Sequence, residues 1–211
     1  MLMRILAIGA HFDDVELGCG GTLARHVKNG DDLFIFVATN SGYSNHAREV
    51  IRRPEIALEE GHKAAAILGA RELVCGDYPT NNLPLNDDLV CSILKIVEEH
   101  KIDTIYTHWT GDMHLDHRNV GRASITAGRH APRLLMYRSN YYDTDTQFRG
   151  NFYSDITSTV EIKANAIRAH ESEFKRVGET WMTFFMNQNR NDGIKIGVQY
   201  AEVFEVVKYL A

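Results

Sequence analysis

What most constrains this chain is a change of character in its first two dozen residues. Met3 to Ile8 is apolar but for Arg4, and it runs into His11-Phe12-Asp13-Asp14-Val15-Glu16 and then the small-residue stretch Gly18-Cys19-Gly20-Gly21. A short, nearly continuous apolar run fits a parallel strand buried on both faces better than a half-exposed one. The small residues behind the acidic cluster open a helix. Ligand chemistry in parallel α/β sheets collects at the carboxyl ends of strands, which is where His11, Asp13 and Asp14 stand.

Adjacent carboxylates repel each other unless something offsets the repulsion. Asp13 and Asp14 can be solvated, can cap the helix behind them, or can hold a cation. His11, three residues before Asp14, adds a nitrogen, and nitrogen with carboxylate oxygen suits zinc and similar divalent metals. A second cluster follows farther on. Ile102 to Trp109 reads as another buried strand, β-branched and aromatic. Just past it stands His114-Leu115-Asp116-His117-Arg118. Two such clusters past two strand ends point to convergence on one metal.

The order Ala10-His11-Phe12-Asp13-Asp14, glycine-rich helix, then Thr107-His108-Trp109 and His114-Leu115-Asp116-His117 resembles the LmbE-like (PIG-L) zinc-dependent de-N-acetylases. Asn40 to Ser44, Ala64 to Gly69 and Gly197 to Glu202 also look like family segments, so the resemblance spans most of the chain. It implies a three-layer, Rossmann-like α/β fold, a mostly parallel sheet with helices on both faces. It also implies a Zn2+ cofactor, with another divalent transition metal left open. The partner it implies is a small molecule, an N-acetylated sugar or sugar conjugate.

The resemblance maps His11, Asp14 and His117 to the metal ligands. Asp13 is then free to act as general base. His114 stabilises the oxyanion or protonates the departing amine, and Asp116 holds the His114 ring. Arg53 is the expected substrate contact, with Arg48 and Arg52 as neighbours able to take that place. His170, in Ala169-His170-Glu171-Ser172, is expected to approach the site. Two departures stand out. Phe12 replaces the usual proline, which would stiffen the turn by fixing φ. Asp112 stands where some members carry a tyrosine, which leaves the oxyanion partner open. His26, His46, His62, His100, His108 and His130 are read as surface or packing residues.

With 211 residues the chain fits a single domain, 1–211, with a full core. A net charge of −5 gives no reason to expect nucleic acid. No stretch approaches a membrane span, and the start shows no signal-peptide pattern. Cys19, Cys75 and Cys91 are odd in number and far apart, which argues against disulfides and a Cys-zinc site and for buried thiols in a reducing cytoplasm. A homo-oligomer stays open. No Gly-Lys-Ser/Thr follows the glycines, so they serve close helix packing rather than phosphate binding.

Helices are expected over Val15–Lys28, over Glu55–Leu68 with Gly69 as its stop, after a cap at Asp87 or Asp88, and over Asn119–Arg129. Strands at Leu33–Thr39, Leu73–Gly76, Thr104–Thr107 and Leu134–Tyr137 alternate with them, the pattern of a parallel sheet. Beyond Ser139 the alternation weakens. Tyr141–Asn151 reads as a loop near an opening, Thr157–Glu161 as a strand, and Ile162–Arg176 as one helix carrying Ile167, His170 and Phe174 on one face. Trp181, Phe184 and Phe185 read as core or subunit contact. Two other functions compete: a metal-dependent amidase on a non-sugar amide, and a non-catalytic sugar- or metabolite-binding protein. Asp13 and His114 together favour an enzyme, since a binder needs neither.

Overall fold

In the computed structural model, which describes residues 2–211, the opening apolar run is strand β1 (Arg4–Gly9), buried from Ile5 onward. Ile5 and Ala7 face one core cluster, Leu6 and Ile8 another. A strand with a core on each side has no polar face, hence the unbroken run. The elements that follow are α1 (Asp14–Lys28), β2 (Asp32–Thr39), a short antiparallel pair β3 (Tyr43–Ser44) and β4 (Val50–Arg52), α2 (Pro54–Leu68), β5 (Glu72–Tyr78) and α3 (Asp87–Glu99). Then come β6 (Thr104–His108), α4 (Leu115–Ala127), β7 (Arg133–Tyr137), β8 (Phe152–Asp155), α5 (Val160–Arg168), α6 (Glu171–Val177), α7 (Thr180–Ile196) and β9 (Ala201–Tyr209).

The large sheet has the order β5-β2-β1-β6-β7-β9-β8. Its first five strands are parallel, while β9 runs antiparallel to both β7 and β8. Helices α1, α2 and α5 supply one core cluster through Cys19, Leu23, Leu68 and Ala166. Helices α3 and α4 supply the other through Leu89, Ile93, Val120 and Ala123. The chain leaves β1 toward β2 on one side and returns to β6 on the other. That reversal opens a crevice at the carboxyl ends of β1 and β6.

The glycines of α1 are there for packing. A Cβ on Gly18 would lie 2.1 Å from the Tyr137 ring, and one on Gly21 would lie 2.8 Å from Ile156. Buried Lys163 and Glu202 also reach this helix. Lys163 Nζ donates to Leu17 O at 2.8 Å and to Glu202 Oε1 at 2.6 Å, while Glu202 accepts from the N–H groups of Gly21 and Thr22.

Several expected boundaries move. Asn86, not Asp87 or Asp88, caps α3, its side chain accepting from Leu89 N. Helix α4 begins at Leu115, so the second histidine cluster lies in its first turn. The expected strand at Thr157–Glu161 is a turn over residues 157–159 followed by the first residues of α5. There Thr157 N donates to Asp155 Oδ1 at 2.9 Å, a local bond that competes with a ladder, and Thr159 Oγ1 ties the turn to α1 by donating to Gly21 O at 2.7 Å. The strand is Phe152–Asp155, between the expected loop Tyr141–Asn151 and that turn. The single helix Ile162–Arg176 is two, α5 and α6, broken at His170. Cys19 is buried, but Cys75 is half-buried and Cys91 exposed. Among the described residues no helix is long and apolar enough to cross a membrane.

Candidate metal centre

The backbone turns sharply between β1 and α1, and Asp13 takes the strain at φ 133°, ψ −25°. A non-glycine residue there costs of order 1–3 kcal/mol. Asp13 holds the N-cap position, yet its carboxylate accepts none of the helix N–H groups. It lines a pocket instead, which removes helix capping as its purpose. Asp14, one residue on, is saturated with donors. Its Oδ2 accepts from His11 N at 2.7 Å, from Ala10 N at 3.1 Å and from His108 Nε2 at 3.1 Å, and its Oδ1 accepts from Ser139 Oγ at 2.8 Å. Burial works against the anion, but the His117 and His108 rings hold the Asp14 carboxyl well below its usual range.

From β6 and α4, His117 reaches the same point. His117 Nε2 lies 3.2 Å from His11 Nδ1 and 3.3 Å from Asp14 Oδ1, and His11 Nδ1 lies 3.4 Å from Asp14 Oδ2. Ligand bonds of 2.0–2.1 Å in a tetrahedron put donor atoms about 3.3–3.4 Å apart, so these spacings, which use one Asp14 oxygen toward each ring, suit donors gathered around one divalent metal ion. The outer nitrogens support this. His11 Nε2 lies 3.1 Å from Asp116 Oδ2, and His117 Nδ1 lies 3.2 Å from Asp112 Oδ1. The hydrogen bond to Asp116 fixes the His11 tautomer and aims its other lone pair inward, while Asp112 stands behind His117 as a nearby charge without hydrogen-bond geometry. Two lone pairs 3.2 Å apart repel unless a proton or cation sits between them. Burial lowers the His11 pKa, yet the Asp116 and Asp14 carboxylates together raise it to about 10, a measure of how strongly the site attracts positive charge.

His114 stands beside these two rings, centroids 4.8 Å from His11 and 4.7 Å from His117. Its Nδ1 accepts from Asp116 N at 3.2 Å, which leaves Nε2 to carry the ring proton. Burial, then the neighbouring His11 and His117, push its pKa down to about 4. The expected Asp116–His114 side-chain pair is not present. The Asp116 carboxylate serves His11, and it accepts from Asn81 N at 2.7 Å and Leu83 N at 3.1 Å; only its backbone touches His114.

The arginine in the site is Arg52, 3% exposed. Its Nη1 donates to Phe12 O at 3.0 Å and lies 3.6 Å from Asp13 Oδ2, while Nη2 donates to Glu60 Oε2 at 2.8 Å. Arg53 is an exposed residue capping α2, away from the pocket, and Arg48 is exposed too. His170 is fully buried behind Arg52, with Nδ1 3.3 Å from Arg52 Nη2 and Nε2 3.5 Å from Glu16 Oε2; it backs the site without lining it. Burial, then the Asp14 charge, push the Asp13 carboxyl well above its ordinary pKa against the opposing pull of Arg52.

His108 belongs to the site rather than to packing, since it bonds the Asp14 carboxylate. Its place at the end of the β6 strand pattern was the signal that could have found it. The pocket above the donors has a volume of ≈ 320 Å³. Tyr43, Tyr141, Arg176 and Trp181 form its outer wall. Tyr43 OH donates to Glu173 Oε1 at 2.7 Å, and Glu173 also pairs with Arg176. Trp181 serves twice, packing with Leu17, Ile167 and Phe185 while lining the opening.

A family model described as PIG-L, GlcNAc-PI de-N-acetylase, matches residues 6–128. The chain belongs to the PIG-L family. It is 27% identical to the diacetylchitobiose deacetylase of Thermococcus kodakarensis, over 94% of this chain and 81% of that protein. It is 31% identical to the uncharacterized deacetylase YaiS of Escherichia coli, over 80% of this chain and 90% of that one. The N,N'-diacetylchitobiose deacetylase of Pyrococcus horikoshii superposes with a TM-score of 0.84 at 23% identity, covering 97% of this chain and 83% of its own. Against that PIG-L background the two departures have structural accounts. Asp112 stands behind the His117 ring, and Phe12 uses the N–H that proline lacks, donating to Ser41 Oγ at 2.8 Å.

Proposed function

We propose that this chain hydrolyses the N-acetyl amide of an amino sugar or sugar conjugate, with a zinc-like divalent ion held by His11, Asp14 and His117. The observation that carries the reading is the inward convergence of two carboxylate-backed imidazoles and one carboxylate at the floor of an open pocket. Such an ion, when bound, lowers the pKa of water from 15.7 to about 7 and polarises a carbonyl.

The residues around the donors divide the remaining work. Asp13 takes the proton of the attacking water on a carboxylate oxygen, and its raised pKa brings it toward the range of an effective base. The Arg52 guanidinium beside it keeps that carboxylate turned to the pocket. His114 Nε2–H donates to the acetyl oxygen as negative charge gathers there. With a pKa near 4 the ring is neutral at pH 7, so it acts as a hydrogen-bond donor and the proton on Asp13 is the one passed to the departing amine. Tyr43 and Trp181 offer faces to a sugar ring, and Arg176 with Glu173 offers polar groups to its hydroxyls. Relatives named as diacetylchitobiose deacetylases support an acetylated amino sugar as the substrate class.

The two adjacent aspartates give the decisive test. Asp13→Asn should keep the ion and lose turnover by roughly 10²–10⁴-fold, the reach of a positioned base. Asp14→Asn should lose the ion. Elemental analysis of each variant, with free-amine release from N-acetylglucosamine derivatives, reads both. Reversed phenotypes would overturn this division of roles.

A further inference from the structure

Thr104, the first residue of β6, is 2% exposed, and its Oγ1 is buried with no hydrogen-bond partner among the described residues. A dry, unpaired hydroxyl is costly to a fold. Thr104 lines a cavity of ≈ 180 Å³ at the amino edge of the sheet. The cavity sits by the last turn of α1, while Asp13 and Asp14 stand at the start of that helix. Helix α1 has 15 residues, so about 20 Å separates the two ends, too far for one small ligand to reach both.

Two arginines line the same cavity, Arg25 from α1 and Arg133 from the start of β7. Arg133 Nε is buried without a partner among the described residues, and Nη1 meets only Met3 Sδ at 3.8 Å. The guanidinium lies 5.4 Å over the Tyr209 ring, a stack that fixes its plane and leaves its edge for an oxyanion. Among the described residues no carboxylate lines the cavity. Those nearby are engaged: Asp31 by Met3 N and His26, Glu202 by Lys163, and Asp155 Oδ1 by Thr157 N. Cations in the last turn of a helix also complement its dipole. That does not account for this pair, because Arg25 Nη1 donates to Asp155 O at 3.1 Å rather than to an α1 carbonyl, and Arg133 belongs to the sheet.

We propose that this cavity binds a small phosphate-bearing anion, inorganic phosphate or a short phosphomonoester, between Arg25, Arg133 and Thr104 Oγ1. Arginine forks match phosphate oxygens in pairs, and the hydroxyl supplies a further donor. Phe152 and Tyr209, which also line the cavity, suit a short carbon substituent rather than a second charge. The bound anion joins α1 to β6 and β7 at the edge opposite the acidic cluster. The site does not depend on the deacetylase reading, and its test does not use that activity.

Calorimetric titration of the full chain with inorganic phosphate and with glycerol 3-phosphate tests this, on wild type and on Arg133→Gln, Arg133→Lys, Arg25→Gln and Thr104→Val. Wild type should bind at least one probe saturably. Arg133→Gln and Thr104→Val should each weaken binding by roughly 10-fold or more, the value of a hydrogen bond to a charged group. Arg133→Lys keeps the charge without the fork and should lose less than Arg133→Gln. Valine keeps the shape and strand preference of threonine, and Arg25 is exposed, so Thr104→Val and Arg25→Gln should fold even where the Arg133 variants do not. Tighter binding of glycerol 3-phosphate would identify a phosphomonoester as the ligand, and tighter binding of phosphate the free ion; either upholds the site. No saturable heat from either probe would overturn the proposal. So would binding that Thr104→Val and Arg25→Gln leave unchanged, which would place the anion elsewhere on the molecule. Competition by chloride as effective as that by phosphate would reduce the cavity to a patch of positive charge and overturn it too.

Discussion

Asp116 shows how one side chain's role depends on a rotamer that residue spacing does not reveal. Its nearness to His114 in sequence suggests that it orients that ring, yet the carboxylate holds His11 Nε2 at 3.1 Å and two loop N–H groups. Asp116→Asn should therefore weaken metal affinity, by roughly 10–100-fold as for other carboxylates behind a ligating histidine. His114→Ala should leave metal content almost unchanged and reduce turnover. Competition with a chelator of known affinity separates the two; equal metal affinity in both variants would contradict the contact. Phe12 makes a similar case. Its ring is buried, and a Cβ on Gly61 would lie 2.3 Å from it, so ring and glycine fit together. Proline at this position stiffens the unfolded chain by about 0.4–1 kcal/mol. Against that, Phe12→Pro empties a core site worth about 3–5 kcal/mol and removes the donor to Ser41. Net destabilisation should exceed that of Phe12→Leu, which keeps the N–H, in denaturant midpoints. A proline variant more stable than wild type would show that stiffening dominates.

At the scale of elements, the parallel half of the sheet was legible because its strands are buried on both faces and announce themselves as apolar runs. The carboxyl ends of β1 and β6 were legible for the same reason, since each run stops at a histidine-and-aspartate cluster. The region after Ser139 was not. Strand β8 reads Phe-Tyr-Ser-Asp and edges the sheet, so it lacks the apolar run, and α5 and α6 keep helical spacing across a break at His170. Arg52 was ambiguous because only the short β3–β4 pair decides which arginine turns inward. The tie between α5, β9 and α1 was invisible, because Lys163 and Glu202 are far apart in sequence and their charges ordinarily mark a surface. In the structure Lys163 is fully buried and Glu202 nearly so. They meet the backbone of α1 at Leu17 O and Gly21 N, the two groups an i→i−4 helical bond would join. Lys163→Met leaves Glu202 buried without its cation and should cost about 3–5 kcal/mol. Adding Glu202→Gln should recover part of that loss in urea unfolding. Strictly additive losses would mean that the two residues do not act as a pair.

Across the whole molecule the two edges of the sheet carry different burdens. The carboxyl edge gathers His11, Asp13, Ser41, His114 and Ser139 from β1, β2, β6 and β7 around one pocket, and its groups are strained or aimed at ligands. The amino edge is where the fold is clamped. There His26, in the last turn of α1, meets Asp31 Oδ2 at 2.7 Å just before β2 and Tyr106 OH at 3.0 Å on β6. Arg25 on the same helix and Arg133 at the start of β7 add positive charge nearby. Burial lowers the His26 pKa below its ordinary 6.5, with the Asp31 hydrogen bond opposing in part and the two arginines adding to the fall. The folded state thus binds this proton less readily than the unfolded chain. Stability contributed by His26 is complete above pH 6.5 and declines as pH falls through that value toward the lower folded pKa. The effect must be separated from proton uptake by the histidines of the proposed metal site at the opposite edge, which would also release an ion held there. Unfolding of chelator-treated protein between pH 8 and 5, compared with His26→Gln under the same treatment, isolates it. The difference in stability between the two proteins should be flat above about pH 6.5 and shift against the wild type below it. A difference that stayed constant across the range would show that His26 keeps its ordinary affinity for a proton and clamps the edge by packing alone.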